Sequence, residues 1–584
     1  MKHIPYNLYF LFFILSFVII SCKDKSSHKV SESNKKEVVK SKFARNYPDF
    51  DPQIFRKYLK THIVEDSIAA PFYQENEFSA IWVHDTLDTK NLYTYIDILE
   101  QVEKHGLTSD YFSVSRIKSI TDSIDSGAYS NYPDTLYSKI YEVERLSTAS
   151  LIKYATGMKY GFVNPHKLFG KKLYDITLLS ADSAFYTSLY SEIKINPIDV
   201  ATLSHPTDSI YLLLQKEYEI LKRGEATDIK KITSGSTTFK LGDKSKYISD
   251  IAERLIITGE YTPNTETNDS LHSILDETLL DAINTFRRKN SYLEEKEVGK
   301  LTIDALNQPI SYYTNKIRAN MERYRWKRAK PKENKHIEVN VASFMLEATQ
   351  SDSLPLISRV CVGSVRNKTP LLESNISYLN LNPIWNVPKS IAQNEVAVLQ
   401  KKDPTYIKRH NMRLFKGGKE IDTESIDWKT VNPAKFPYFI KQDPGYGNSL
   451  GLIKFMFNNA HSVYLHDTPS KAAFGRKIRA ISHGCVRVQK PFELAFFCTS
   501  PSTDLYKDQL LFSVKKEPIT IEGKKLLKED RLKKISDIIN IKQDKKISLF
   551  IDYYTVFTYQ NDSMLYYADD VYGYDDLILR ELSI

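Results

Sequence analysis

The stretch that most constrains this chain runs from His466 to Val488. An apolar, β-prone segment, Ser462-Val-Tyr-Leu465, stops at His466, where Asp467-Thr-Pro469 forces a turn because proline sets φ and lacks an N–H. Beyond a basic loop, Ser482-His-Gly-Cys485 leads into an alternating Val-Arg-Val run. The two ends read as strand ends, one bearing a histidine and the other a cysteine. Gly484, directly before the thiol, permits a sharp turn or the close approach of a ligand backbone. Backbone N–H groups at such a turn can face a substrate carbonyl, as an oxyanion hole requires.

A free thiol with a pKa of about 8.5 is only a few per cent thiolate at neutral pH, so a nucleophilic cysteine needs an imidazole or other cation beside it. His466 is the first candidate and His483 the second. Arg476, Lys477, Arg479 and Arg487 add positive potential that favours thiolate and could hold a carboxylate. The same residues also fit a buried structural cysteine with a loop histidine.

H-D-T-P followed by S-H-G-C-V-R-V resembles the signature of the L,D-transpeptidases, the YkuD-type cysteine enzymes of peptidoglycan cross-linking, and especially their large multidomain members. The resemblance implies Cys485 as nucleophile, His466 as proton donor and acceptor, and Arg487 as part of the substrate wall. It also implies a backbone carbonyl that orients the histidine, at Asp467. Tyr464, Ser482, His483 and Gly484 complete the candidates for substrate or oxyanion contact. No cofactor is expected, and no metal, because no Cys or His pair has zinc-site spacing.

At the N-terminus, Lys2 and the apolar run Leu8 to Ile20 form an export signal too short to span a bilayer comfortably. Ile19-Ile-Ser-Cys22 resembles a bacterial lipobox, which implies removal of residues 1–21, a lipid on Cys22, and a membrane-anchored lipoprotein on the periplasmic side of the envelope. A plain secretory signal with a chance cysteine is the alternative. Residues 22–46 are rich in Lys, Ser and Glu and read as a flexible tether. That tether holds about half of the formal net charge of +9, so the remainder is nearly neutral and nucleic-acid binding is not expected. Cys361 and Cys498 lie in apolar contexts and read as buried free thiols.

With 584 residues the chain has room for three or four domains, and the expected class is α+β multidomain. Residues 47–235 show three- and four-residue apolar spacing and read as a helical scaffold. Residues 236–310 resemble a three-helix peptidoglycan-binding module through Gly299-x-x-Thr302-x-x-Ala305-Leu306-Asn307, with an unusual Asn/Thr/Asp-rich insertion at 261–270. Residues 311–335 read as a linker helix, and 336–510 as the β-rich catalytic domain with a capping insertion at 398–442. Residues 511–584 are expected to supply C-terminal strands completing that domain. Trp385 is a candidate apolar wall or core residue, and Asn448 a candidate substrate contact or turn asparagine.

The reading as a whole is an L,D-transpeptidase that takes peptidoglycan tetrapeptide stems, forms 3-3 cross-links through a cysteine thioester, and is acylated by carbapenems. An L,D-carboxypeptidase or cross-link hydrolase on the same Cys/His pair is the alternative enzyme. A non-catalytic peptidoglycan-binding scaffold is the alternative of another class.

Overall fold

The computed structural model describes residues 41–83, 89–225, 230–263, 273–351, 353–500, 503–542, 546–559 and 562–583. The export signal, the lipobox with Cys22 and most of the tether lie outside the described residues, as does most of the 261–270 insertion. The expected tether runs too far: Ser41 caps the helix Lys42–Asn46, whose Phe43 is buried together with Tyr47. Two aromatics that can bury their rings offset the entropy of ordering this segment. No described helix is long and apolar enough to cross a membrane.

The β-rich part is organised by the eleven-residue strand Leu371–Leu381. On one side it pairs with Ile453–Phe457, and the order continues through Leu465–His466, Val486–Val488, Leu356–Gly363, Met345–Gln350 and Lys335–Asn340 to Ser548–Asp552. That last strand pairs back onto Leu371–Leu381, so the ladder closes on itself and leaves no free edge along this circuit. Ser548–Asp552 arrives from the far end of the chain, lies parallel to Lys335–Asn340, and buries Leu549 and Ile551 completely. Ile538–Asn540 also joins the main sheet as expected, antiparallel to Leu371–Leu381, whereas the remainder of 511–584 departs from the expected strands. Ile521–Lys528 and Tyr574–Glu581 are helices, and the hairpin Val556–Phe557 with Tyr566–Tyr567 stands apart from the main sheet.

Before the sheet the chain is helical, centred on the 28-residue helix Pro133–Tyr160. Its core is continuous with that of the β-domain, so scaffold and sheet bury one apolar interior. Three expected boundaries shift. The helix Ser209–Glu225 packs Tyr211, Leu214, Tyr218 and Leu221 into the core of the following module, while Tyr211 also bonds His105 of the scaffold at 3.0 Å. That module is also completed by Val556, Leu565 and Tyr567 from the C-terminal segment. The stretch read as a linker contains the helix Ile310–Arg325, which is buried along most of its length and donates Arg325 to Glu322, Tyr211 and the His105 carbonyl. Its basic residues satisfy buried partners rather than solvent, which a sequence pattern of charge does not distinguish.

The cap is larger than 398–442. Trp385–Asn386 already pairs with Phe439–Gln442 in a four-stranded sheet of its own, over a core of Val387, Ile407, Leu414, Trp428 and Ile440. The strand before the insertion closes the sheet that the insertion builds.

Leu549 is fully buried in the closing strand. Leu549→Ala is expected to cost about 3 kcal/mol in urea unfolding, whereas Ile538→Ala, on a strand residue 42% exposed, should stay within about 1 kcal/mol.

Candidate active site

His466 and Cys485 are positioned by a short parallel ladder in which Leu465 pairs with Val486 and His466 with Arg487. One step back along the same ladder, the Val486 N–H donates to the Tyr464 carbonyl at 3.1 Å. Side chains at paired positions share a face, so Tyr464, His466, Cys485 and Arg487 converge on one side of the sheet. Lys454, the partner of His466 on the neighbouring antiparallel strand, joins them. Its ammonium stands 3.8 Å from the centroid of the Tyr464 ring, and that ring lies 5.6 Å from the imidazole.

His466 is 5% exposed, and its Nδ1 lies against the carbonyl oxygen of Asp467. A carbonyl can only accept, so Nδ1 carries the proton and Nε2 presents its lone pair. Burial, reinforced by Arg487, lowers the imidazole pKa to about 3, so the ring is neutral at neutral pH. Asp467 is itself pinned: its Oδ2 accepts from the Leu452 N–H at 2.9 Å, and its Oδ1 takes the Lys471 ammonium. Gly451 makes room for this carboxylate. It sits at φ +63°, and a Cβ there would come within 2.4 Å of Asp467 Cγ.

Cys485 is half-buried and free of any disulfide. Its Sγ lies 4.0 Å from the Ser462 carbonyl and engages the Tyr464 phenol, which in turn is bonded to Trp385. Among the described residues no hydrogen bond joins the thiol to His466. Burial raises the thiol pKa above its ordinary value; the Tyr464 hydrogen bonds, Lys454 and Arg487 act the other way without cancelling it. The resting pair is therefore neutral thiol and neutral imidazole, with deprotonation coupled to attack.

Several expected roles are corrected. Of the four loop cations, only Arg487 faces the thiol. Arg479 donates to the carbonyls of Val360 and Phe344, Lys477 to the Tyr292 hydroxyl, and Arg476 is exposed. His483, the second candidate, pairs through Nε2 with Glu395 of the cap. Ser482 and the Gly484 N–H build the turn: Gly484 N donates to Ser482 Oγ at 3.1 Å, and Ser482 Oγ to the Cys485 carbonyl at 2.6 Å. Gly484 itself, at φ +117°, is where the turn needs glycine. Among the described residues the Cys485 N–H has no acceptor, which leaves it as the oxyanion donor at this turn.

Asn448 does not face substrate. Its amide donates to the carbonyls of Pro383, Gln442 and Asp443, stapling both chain crossings into the cap. Trp385 is half-buried between the cap core and Tyr464. Arg487 keeps a buried Nε without a partner, a donor suited to a substrate oxygen. Lys454 escaped the sequence reading because it sits in an apolar strand, Ile453-Lys-Phe-Met-Phe457, whose register only the fold reveals. Cys361 and Cys498 are buried and unbridged, and no described cluster of His, Cys, Asp and Glu could hold a metal.

A thiol and a neutral imidazole on one face of a closed β-sheet, beneath a separate cap, define a cysteine–histidine site of the acyl-transfer type. Residues 334–521 match the YkuD family, described as the L,D-transpeptidase catalytic domain, and residues 67–217 match the family described as the Scaffold domain. A Haemophilus influenzae protein named "Putative L,D-transpeptidase" is 32% identical over 274 residues, covering 46% of this chain and 55% of that protein. The chain thus spans about half the length of the curated relative it matches. It carries a YkuD-type L,D-transpeptidase catalytic domain behind a helical scaffold.

The neutral resting pair predicts the pH dependence of thiol chemistry. Alkylation of Cys485 by iodoacetamide should rise with pH to a midpoint above that of an ordinary free thiol. It should show no acid limb near pH 6.5, since His466 stays neutral well below that. A midpoint below 7, read by mass spectrometry, would mean a preformed thiolate–imidazolium pair instead.

Proposed function

We propose that this protein is an L,D-transpeptidase that forms 3-3 cross-links between peptidoglycan tetrapeptide stems through a thioester on Cys485. The observation that carries the reading is the convergence of Cys485, neutral His466 and Arg487 on one sheet face inside the residues that match the L,D-transpeptidase catalytic domain. Cys485 Sγ attacks the carbonyl of the third stem residue as His466 Nε2 takes the thiol proton, and the Cys485 N–H and Arg487 stabilise the oxyanion. The C–N bond to the terminal D-alanine then breaks, and His466 returns the proton to the departing amine. In the second half-reaction an acceptor amine loses its proton to His466 and attacks the thioester, and the C–S bond breaks to release the cross-link as the expelled sulfur takes that proton back from His466. Tyr464, bonded to both the thiol and Trp385, holds the sulfur until the stem enters beneath the cap.

Carbapenems, as acylating carbonyls of similar shape, should load the same sulfur. We place the enzyme on the periplasmic side of the envelope, tethered through a lipid on Cys22. Mass spectrometry of the mature N-terminus tests this, and an unmodified residue there would remove the anchor.

The enzyme is tested with defined tetrapeptide muropeptides, following both protein and products by mass spectrometry. Cys485→Ala should abolish the acyl-enzyme adduct while leaving the fold intact; continued D-alanine release would refute the nucleophile. His466→Ala should slow the chemical step about 10²–10⁴-fold. Dimers mark transfer, whereas tripeptides alone would mean that water is the acceptor and the activity is a carboxypeptidase.

A further inference from the structure

We infer that Lys454 is a further substrate-binding residue of this site: its ammonium takes the free carboxylate of the residue that leaves, so that the enzyme reads a donor stem ending one residue past the scissile carbonyl. The inference rests on the proposed function for the identity of the donor and deepens it. Lys454 pairs with His466, and His466 in turn with Arg487, so the three side chains stand in one row across three neighbouring strands and on one face. Cys485 and Tyr464 form the row behind, where the Val486 N–H meets the Tyr464 carbonyl. The histidine is thus flanked by a cation on either side. Arg487 stands toward the thiol turn, and Lys454 stands on the strand beyond.

What sets Lys454 apart is that nothing anionic holds it. Its ammonium rests over the Tyr464 ring, 3.8 Å from the centroid, and among the described residues no carboxylate or carbonyl oxygen accepts from it. Three other lysines withdrawn from solvent are satisfied: Lys289 meets Glu217 and Glu260, Lys316 meets Asp575 and the Ala568 carbonyl, and Lys368 donates to the Tyr572 carbonyl. The acidic neighbour of His466 is no counter-ion either, since the two oxygens of Asp467 are taken by Lys471 and by the Leu452 N–H. Burial holds the Lys454 pKa below the ordinary lysine value, a cost that an incoming carboxylate would relieve. Nor does the ammonium serve to ionise the thiol, because Cys485 stays above its ordinary pKa with Lys454 beside it.

The order of the strands selects which carboxylate. In the proposed reaction the scissile carbonyl sits at Cys485 Sγ with its oxygen toward the Cys485 N–H and Arg487, and His466 reaches the departing amine to return its proton. The chain beyond that amine therefore runs past His466 toward the next strand, the one that carries Lys454. Adjacent strands lie about 4.8 Å apart and one extended residue advances about 3.5 Å, so the carboxylate of a single departing residue arrives within the span of a lysine side chain. Along that path the floor is the Tyr464 ring, whose phenol engages the thiol. A charge-assisted pair formed there fixes the end of the donor while Cys485 attacks.

The test compares two donors, a tetrapeptide stem and the same stem with a C-terminal carboxamide, which keeps the shape and removes the charge. In the full chain with Cys485→Ala, where nothing turns over, calorimetry should find the carboxylate form bound about tenfold more tightly. Adding Lys454→Met should bring that ratio below about twofold, whereas Lys454→Arg, which keeps the charge, should retain most of it. A role confined to packing would weaken both donors alike and leave the ratio where it was. Lys454→Gln serves as a second neutral variant, and thermal unfolding establishes that each variant is folded before it is scored. Equal affinity for the two donors in the Cys485→Ala chain would overturn the proposal, and so would a preference that survives Lys454→Met or Lys454→Gln. Acylation of the unsubstituted chain by the tetrapeptide is scored separately. Its absence would refute the proposed function, while the affinity ratio still decides Lys454.

Discussion

The site depends on two register pairs, Leu465 with Val486 and His466 with Arg487. Parallel pairing is the arrangement that brings strand ends entered from opposite sides of an eighteen-residue loop to the same edge and the same face. Slipping the register by one residue would turn His466 into the core and Leu465 into the site. Everything around the ladder holds it in place. The Lys335–Gln350 hairpin and the late strand Ser548–Asp552 close the sheet, while Gly451 and Asp467 lock the imidazole from behind. The histidine is thereby oriented by a carbonyl whose own residue has no freedom to move.

Beyond the sheet, the helix Ile310–Arg325 acts as the axle between scaffold, module and β-domain. Glu322 accepts from the backbone N–H groups of Phe162 and Val163 of the scaffold, at 2.6 and 2.7 Å, and from the Trp326 indole. Arg323 meets Asp575 of the last helix, and Lys316 donates to the Ala568 carbonyl at 2.7 Å. Buried pairs of this kind add little net stability, because desolvation offsets most of the attraction, but breaking one partner leaves a charge stranded. Their effect is to fix which bodies meet and at what angle. This geometry in turn holds the module against the catalytic loop.

The cap is tied to the site at three places of different character. Asn448 staples its two chain crossings, Trp385 reaches the Tyr464 phenol, and Glu395 meets His483 beside the thiol. The first lies at the base of the cap and is buried. The other two lie beside Cys485, where under the proposed function an entering stem peptide would compete for the same groups. Cap and nucleophile are thus coupled through side chains that substrate would touch.

Local sequence determined the chemistry of the two strand ends. Proline at 469 and glycine at 484 act on their own backbones, and a histidine and a cysteine keep their reactivity wherever they are placed. The helical and β-rich halves were legible for the same reason, since apolar spacing is a short-range signal. What only the tertiary structure decided is which groups share a surface. Lys454 enters the site, while Arg479 and Asn448 turn to carbonyls. The C-terminal strand closes the sheet more than two hundred residues from its parallel partner, and the supposed linker becomes a buried axle. These outcomes follow from long-range burial and hydrogen-bond satisfaction, which depend on neighbours that are remote along the chain and so leave no local mark.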